Sequence, residues 1–171
     1  SPAIVEVIKL GTHTTVQSAP GRIGYWDIGV PPSGPMDSLS FRLGNRLLGN
    51  DEKAPGLEMT VTGATLKFHF STRIVLTGAV MKAQLNGVEV PYWETIDITE
   101  GDILKMGIIE GAGARTYLLI DGGFDVPEYL GSTATFTLGE FGGHAGRILQ
   151  IGDQLSTRRS DEKKLPALLD D

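Results

Sequence analysis

Residues 21–50 read GRIGYWDIGVPPSGPMDSLSFRLGNRLLGN, and the two halves of this stretch are chemically unlike. The first half is dense in glycine and proline. Pro31, Pro32 and Pro35 fix φ, and Pro32 and Pro35 push Pro31 and Gly34 before them towards extended conformations. Gly29 and Gly34 can take backbone angles closed to other residues. The second half predicts a helix over about 37–48. Asp37 or Ser38 is placed to cap it by accepting hydrogen bonds from free backbone N–H groups. Leu39, Leu43 and Leu47 follow at i, i+4, i+8, with Leu48 widening the stripe, which is the pattern of an amphipathic helix. Gly49 stands where a helix end favours a left-handed residue, and Asn50 follows it. Arg42, Asn45 and Arg46 are its polar residues. A stiff loop running into a helix N-terminus can hold an anion or a carbonyl oxygen. By spacing alone, the reading that the loop merely redirects the chain is the stronger of the two.

Outward from this stretch the chain reads as short strands. Ile4–Leu10 and Thr14–Gln17 precede the loop. Leu57–Val61 and Thr65–Phe70 follow across a Thr62-Gly63 turn, then Arg73–Thr77. Lys82–Leu85 and Val88–Val90 flank Asn86-Gly87, the strongest short hairpin signal in the chain. Thr95–Ile98, Ile103–Ile109, Ala114–Ile120, Thr133–Leu138 and Arg147–Ile151 complete the series. Many short strands and one helix predict a mainly β domain, a barrel or sandwich. From Ser156 the sequence STRRSDEKKLPALLDD is charged, with a small apolar patch at Leu165, Leu168 and Leu169. It reads as a linker, a short terminal helix or a frayed tail.

The 171 residues suit one domain with at most a small appendage. A net charge of −6 argues against a nucleic-acid or anionic-membrane surface. The absence of cysteine removes disulfides, thiolate metal sites and a cysteine nucleophile together, and fits a reducing, cytoplasmic setting. No apolar run reaches the length of a membrane span, and SPAIVEVIKL lacks the pattern of a signal peptide.

Several residues are candidates for chemistry. The backbone N–H groups around Ser33, Gly34, Met36 and Asp37 could form an oxyanion-type cradle or only cap the helix. Asp37 could orient ligand N–H groups or serve as the cap. Arg42 and Asn45 could face a site or solvent. Glu58 lies in an apolar strand, where a carboxylate is costly unless paired; it could serve a site, lie on the strand's wet face, or form a structural ion pair with an arginine. Phe141, Gly142, Gly143 and His144 form a Gly-rich run, and His144 is the histidine placed to act as acid or base. The three histidines show no clustered metal-ligand spacing. Ala79-Val80-Met81-Lys82-Ala83 faintly resembles the turn on which carrier domains bear biotin, but Ala83 replaces its second Met and plain β-structure explains the segment better.

YWDIGVPPSGPMDSLSFRLGNRLLGN is very similar to the corresponding run of the carboxyltransferase domain of urea carboxylase, the biotin-dependent part of urea amidolyase. The wider family includes the second subunit of allophanate-hydrolase-like proteins and the third subunit of bacterial 5-oxoprolinase. The resemblance continues through Leu57-Glu58-Met59-Thr60, Leu66-Lys67-Phe68, Leu76-Thr77-Gly78-Ala79, the run from Asp121 to Ser132, Phe141–Arg147 and Gly152-Asp153. It covers residues 4–155. It implies a cyclophilin-like β-barrel lobe over 1–155, with 156–171 as a charged linker or tail towards a second lobe that this chain lacks.

The resemblance implies an enzyme that moves a carboxyl group from carboxybiotin to urea to give allophanate. Its site would use Asp37 and His144 as catalytic residues. Ser33, Gly34, Pro35, Met36, Arg42, Asn45, Glu58, Phe141, Gly142 and Gly143 would contact substrate or biotin, and no metal is required. Biotin would be carried by a partner domain rather than by this chain. The implied partners are the second lobe, biotin carboxylase and biotin carrier domains, and allophanate hydrolase. A subunit of a 5-oxoprolinase-type complex and a non-catalytic binding lobe are the alternatives.

Overall fold

The computed structural model describes residues 3–18, 35–109, 114–125 and 149–157. In chain order the elements are β1 (Ile4–Lys9), β2 (His13–Gln17), α1 (Ser38–Leu47), β3 (Gly56–Thr60), β4 (Thr65–Phe68), β5 (Thr72–Gly78), β6 (Gln84–Leu85), β7 (Val88–Glu89), β8 (Thr95–Ile98), β9 (Ile103–Lys105), β10 (Arg115–Ile120) and β11 (Gln154–Ser156). The protein is thus mainly β with one short helix among the described residues. The strands pair antiparallel in two sheets, ordered β11-β1-β4-β9-β6-β7 and β2-β3-β10-β5-β8.

The two sheets share one core. Val5, Val7, Leu66, Phe68 and Leu104 come from the first sheet, and Val16, Leu57, Met59, Ile74, Leu76 and Leu118 from the second. Side chains alternate across a strand, so each second-sheet strand also presents residues to the opposite face. That face carries a smaller cluster beneath α1: Phe41 and Leu48 of the helix end against Val75, Tyr117 and Leu119. The Phe41 and Tyr117 rings meet edge-on, 5.7 Å apart at 88°, a favoured arrangement for the two ring quadrupoles. A strand covered on both faces reads as a nearly continuous apolar run, as the segment RTYLLI of β10 does.

Helix α1 seats through Ser40, Phe41, Gly44 and Asn45. The predicted stripe does not seat it: Leu39, Leu43 and Leu47 are 67%, 37% and 46% exposed. Close approach decides this. A Cβ on Gly44 would lie 2.4 Å from Leu119 Cδ2, so the helix rests there directly on the sheet. The caps follow the sequence. Asp37 caps the N-terminus and Gly49, at φ 77°, takes the left-handed position after the last turn.

Three strand expectations are corrected. β3 and β4 do not pair across Thr62-Gly63 but enter different sheets. Val61 turns the chain at φ 64°, and Thr62 bridges instead to Ile108. The strand expected over 103–109 is shorter, Ile103–Lys105, because the chain leaves it for that bridge. The last strand among the described residues is Gln154–Ser156, and the described part of the strand expected over 147–151, residues 149–151, is not strand, since Ile151 and Gly152 form a turn, with Gly152 at φ 89°. The Asn86-Gly87 hairpin stands as expected, both residues at positive φ and β6 paired with β7. The strand expected over 133–138 and the segment from 158 onward lie outside the described residues.

Candidate functional site

Register brings polar residues into rows on the helix-covered face of the second sheet. Thr15 of β2 lies opposite Glu58 of β3, Glu58 opposite Tyr117 of β10, and Tyr117 opposite Thr77 of β5. The neighbouring row runs His13, Thr60, Arg115. Thr15, Glu58, Tyr117 and Thr77 are all buried. Buried polar groups persist only where they are hydrogen-bonded, and this row shows how.

Glu58 Oε2 accepts two hydrogen bonds, from the Met36 backbone N–H at 2.8 Å and from the Tyr117 hydroxyl at 2.7 Å. The Tyr117 oxygen in turn accepts the Asp37 N–H at 2.8 Å. Asp37 Oδ1 accepts the Ser40 N–H at 3.1 Å and its Oδ2 the Ser40 hydroxyl at 2.6 Å. The Thr77 hydroxyl donates to Ser40 O at 2.9 Å. The first turn of α1 is therefore tied to β3, β10 and β5. Arg115 Nε stands 3.9 Å from Glu58 Oε1. On β2, Gln17 Nε2 donates to Thr15 Oγ1 at 2.8 Å, while the buried Gln17 Oε1 has no partner among the described residues.

Burial pushes the Tyr117 hydroxyl far above the ordinary tyrosine pKa, and the adjacent Glu58 charge adds to the rise. Tyr117 is thus a permanent donor to Glu58. Tyr92 is a second tyrosine raised by burial; it accepts the Met81 N–H at 2.9 Å and lies 2.8 Å from Thr116 Oγ1.

The predicted residues fall into three groups. Pro35, Met36, Asp37 and Glu58 come together at the start of α1. The Met36 and Asp37 N–H groups donate to Glu58 and Tyr117, so these two donors of the expected cradle already have acceptors. Glu58 has an arginine neighbour, Arg115, as one of its structural readings allowed. Asn45 is fully buried. Its Nδ2 donates to Glu52 O and Ala54 O, and its Oδ1 accepts from Asn50 Nδ2, which pins the loop after the helix. Arg42 is half-buried on the helix flank, beside an open depression of about 440 Å³ also lined by Arg46, Asn50, Asp51, Glu52 and Lys53. A second hollow of about 550 Å³ lies between Leu43, Arg46, Leu47 and Trp93. Neither includes Glu58. Ser33, Gly34, Phe141, Gly142, Gly143 and His144 lie outside the described residues. Sequence reading missed Tyr117 and Arg115. Their signal is weak but real: two polar residues at i and i+2 of a strand otherwise made for burial.

Among the described residues no group of three or more His, Asp or Glu could hold a metal ion, and no helix is long and apolar enough to cross a membrane.

Comparison with known proteins supplies the family. Over 163 residues the chain is 48% identical to urea amidolyase of Saccharomyces cerevisiae, a match covering 95% of this chain and 9% of that protein. It is 37% identical over 155 residues to a 5-oxoprolinase subunit of Haemophilus influenzae, covering 90% of this chain and 49% of the relative. The crystal structure of urea amidolyase from K. lactis superposes with a TM-score of 0.90 at 50% identity, over 94% of this chain and 10% of that one. The chain therefore spans about a tenth of the urea amidolyases and about half of the 5-oxoprolinase subunit. The family model described as carboxyltransferase domain, subdomain A and B, matches residues 28–169, and the chain belongs to that carboxyltransferase family.

Proposed function

We propose that this chain forms part of a biotin-dependent carboxyltransferase that carboxylates urea to allophanate in the cytoplasm. The observation that carries the reading is the 48% identity to a urea amidolyase along nearly the whole chain. The buried carboxylate at the start of α1 gives it a chemical centre. Biotin, borne by a partner domain, would supply the carboxyl group on its ureido nitrogen. A ureido ring offers N–H and C=O groups, and the carboxylate of Glu58 as acceptor with the guanidinium of Arg115 as donor would fit them.

The chain's own residues would bind and orient. Glu58 would accept an N–H of the acceptor and draw density onto its weakly basic nitrogen. Tyr117 and the Met36 N–H hold that carboxylate in one orientation. Asp37 would act through the first turn of α1, which it caps. Ser33, Gly34, Pro35, Arg42 and the run Phe141-Gly142-Gly143 are proposed ligand contacts, and His144 a proposed acid–base residue, on family resemblance. The second lobe, with biotin carboxylase, carrier and allophanate hydrolase partners, would complete the assembly.

A second reading has its own observation. Two 5-oxoprolinase subunits are relatives of which the chain spans a large share, 49% and 52% of their length. On that reading the lobe serves an amide-hydrolysing complex. A lobe that binds without catalysing is the third. The deciding experiment is carboxyl transfer from free carboxybiotin to urea, by this chain alone and with the second lobe supplied. Activity only with both lobes supports the transferase. No transfer and no biotin binding in either case rejects it.

A further inference from the structure

The outer side of α1 carries large apolar groups in the open. Leu39, Leu43 and Leu47 are exposed along it, with Met36 just before the helix and Trp93 beside it. A monomeric surface rarely gathers apolar groups in this way unless something covers them. Leu43, Leu47 and Trp93 share the hollow of about 550 Å³ with Arg46. Trp93 sits at φ 64°, a region that a bulky residue seldom adopts, and its N–H donates to Leu76 O at 2.8 Å. The backbone thus accepts strain to hold an indole at the surface. Arg46 also borders the depression of about 440 Å³ that Arg42 and Lys53 line. That depression has an unmet donor, since Arg42 Nε is buried without a hydrogen-bond partner among the described residues, which is costly. The pair of Arg46 with Glu52 at 3.6 Å is exposed and weak, so Arg46 is easily redirected. A cationic strip therefore leads into an apolar one.

The chain beyond Thr157 has the complementary pattern and starts in the right place. Thr157 bridges to Phe124, whose N–H donates to Pro55 O at 3.1 Å, so the chain leaves beside the loop that follows α1. Residues 158–171 read RRSDEKKLPALLDD. Asp161 and Glu162 come first, then Leu165, Leu168 and Leu169, at the i, i+3, i+4 spacing that shares one side of a helical turn. A path along α1 from its C-terminal end meets the cationic depression and then the apolar hollow, in that same order. Residues 158–164 can extend about 23 Å, and α1 is about 15 Å long, so reach is sufficient.

We propose that Leu165, Leu168 and Leu169 dock in the hollow between Leu43, Leu47 and Trp93, with Asp161 and Glu162 against Arg42 and Arg46. Docking removes the leucines of both elements from water and offers Arg42 the acceptors it lacks. A tethered segment meets its site at about millimolar effective concentration, so a site of about 0.1 mM affinity is filled about nine-tenths of the time. Three leucines moved into apolar contact supply an affinity of that order.

The chain has no cysteine, so Ala167→Cys in the full chain gives a single attachment point for a nitroxide. The readout is paramagnetic broadening of the Trp93 indole N–H resonance in 15N-labelled protein, assigned through Trp93→Phe. That resonance should lose most of its intensity and recover when the nitroxide is reduced. Replacing Leu165, Leu168 and Leu169 together with Ser should abolish the broadening. Leu47→Glu, which sets a like charge beside the tail's carboxylates, should reduce it severalfold. Asp161→Asn with Glu162→Gln should weaken it, as should added salt. Circular dichroism shows that each variant remains folded. Full Trp93 intensity beside the intact nitroxide, or broadening that survives the triple replacement, overturns the proposal. Broadening that also appears in a mixture of nitroxide-bearing and 15N-labelled chains means that a second copy covers the face. No broadening in either sample, with the indole shifting only when the second lobe is added, assigns the face to that lobe. Both outcomes rule out docking by the tail.

Discussion

Replacing Tyr117 with Phe removes one oxygen and leaves the ring. The edge-on contact with Phe41 at 5.7 Å is kept, so packing changes little. What changes is the polar row. The Asp37 N–H, which donates to the Tyr117 oxygen at 2.8 Å, loses its acceptor at a part-buried position, at about 1–3 kcal/mol. Glu58 loses a donor at 2.7 Å but retains the Met36 N–H at 2.8 Å. Against this, the buried hydroxyl need no longer be stripped of water, which returns about 0.5–2 kcal/mol. The net expectation, with the lost Glu58 bond included, is a loss of about 2 kcal/mol. The assay is equilibrium unfolding in guanidinium chloride, followed by circular dichroism. With a slope of about 4 kcal/mol per molar, the midpoint should fall by about 0.5 M without a change of slope. Pairing Tyr117→Phe with Glu58→Gln should give a coupling of about 1 kcal/mol or more, since the two groups share one hydrogen bond. A midpoint shift below about 0.1 M, or strictly additive losses, would refute the view that this row anchors the start of α1.

Gly44→Ala sets two effects against each other. Helix propensity gains about 1 kcal/mol, but the new Cβ would meet Leu119 Cδ2 at 2.4 Å and Thr77 Cγ2 at 3.1 Å. Overpacking of this kind costs about 1–3 kcal/mol, so a lower thermal midpoint is expected; a higher one would mean that α1 can lift off the sheet. Leu39→Ser, at a 67% exposed position, should change stability by less than about 0.5 kcal/mol, whereas Phe41→Ala should cost about 3–5 kcal/mol. The reverse order in chemical denaturation would restore the leucine stripe as the buried face. Burial raises the pKa of both Tyr92 and Tyr117 above the ordinary tyrosine value of 10. The folded state then holds these protons where the unfolded chain releases them, so the contribution is whole below about pH 10 and is lost as pH rises above it. Thermal midpoints between about pH 9 and 11.5 should fall, and less steeply in Tyr117→Phe than in the parent; equal slopes would contradict the assignment.

The local signals of the sequence were sound where one residue type has one physical use. Asp37 as cap, Gly49 as the left-handed exit from the helix and Asn86-Gly87 as a tight hairpin each express a backbone preference that no neighbour needs to confirm. The order of strands was largely legible for the same reason, because alternation and turn residues are local. The resemblance to the carboxyltransferase family could likewise be read without coordinates, because its motifs are words in order.

Tertiary structure decided what depends on pairing. The sequence offered Leu39, Leu43 and Leu47 as a buried stripe, but a helix seats where its backbone can approach closest, and here that is Gly44 against Leu119. Asn45 looked like a polar helix residue open to any use, until the loop returned to place Glu52 O and Ala54 O at its amide. Nothing local joins Met36 to Glu58, 22 residues on, or Asp37 to Tyr117, 80 residues on. Sheet register alone sets Glu58 opposite Tyr117 and brings Arg115 alongside. The sequence by itself thus determined the element types, the caps and the family. Only the fold determined which polar residues share a face, because a strand carries its period of two in its own sequence, while its partners are fixed by the core they close together.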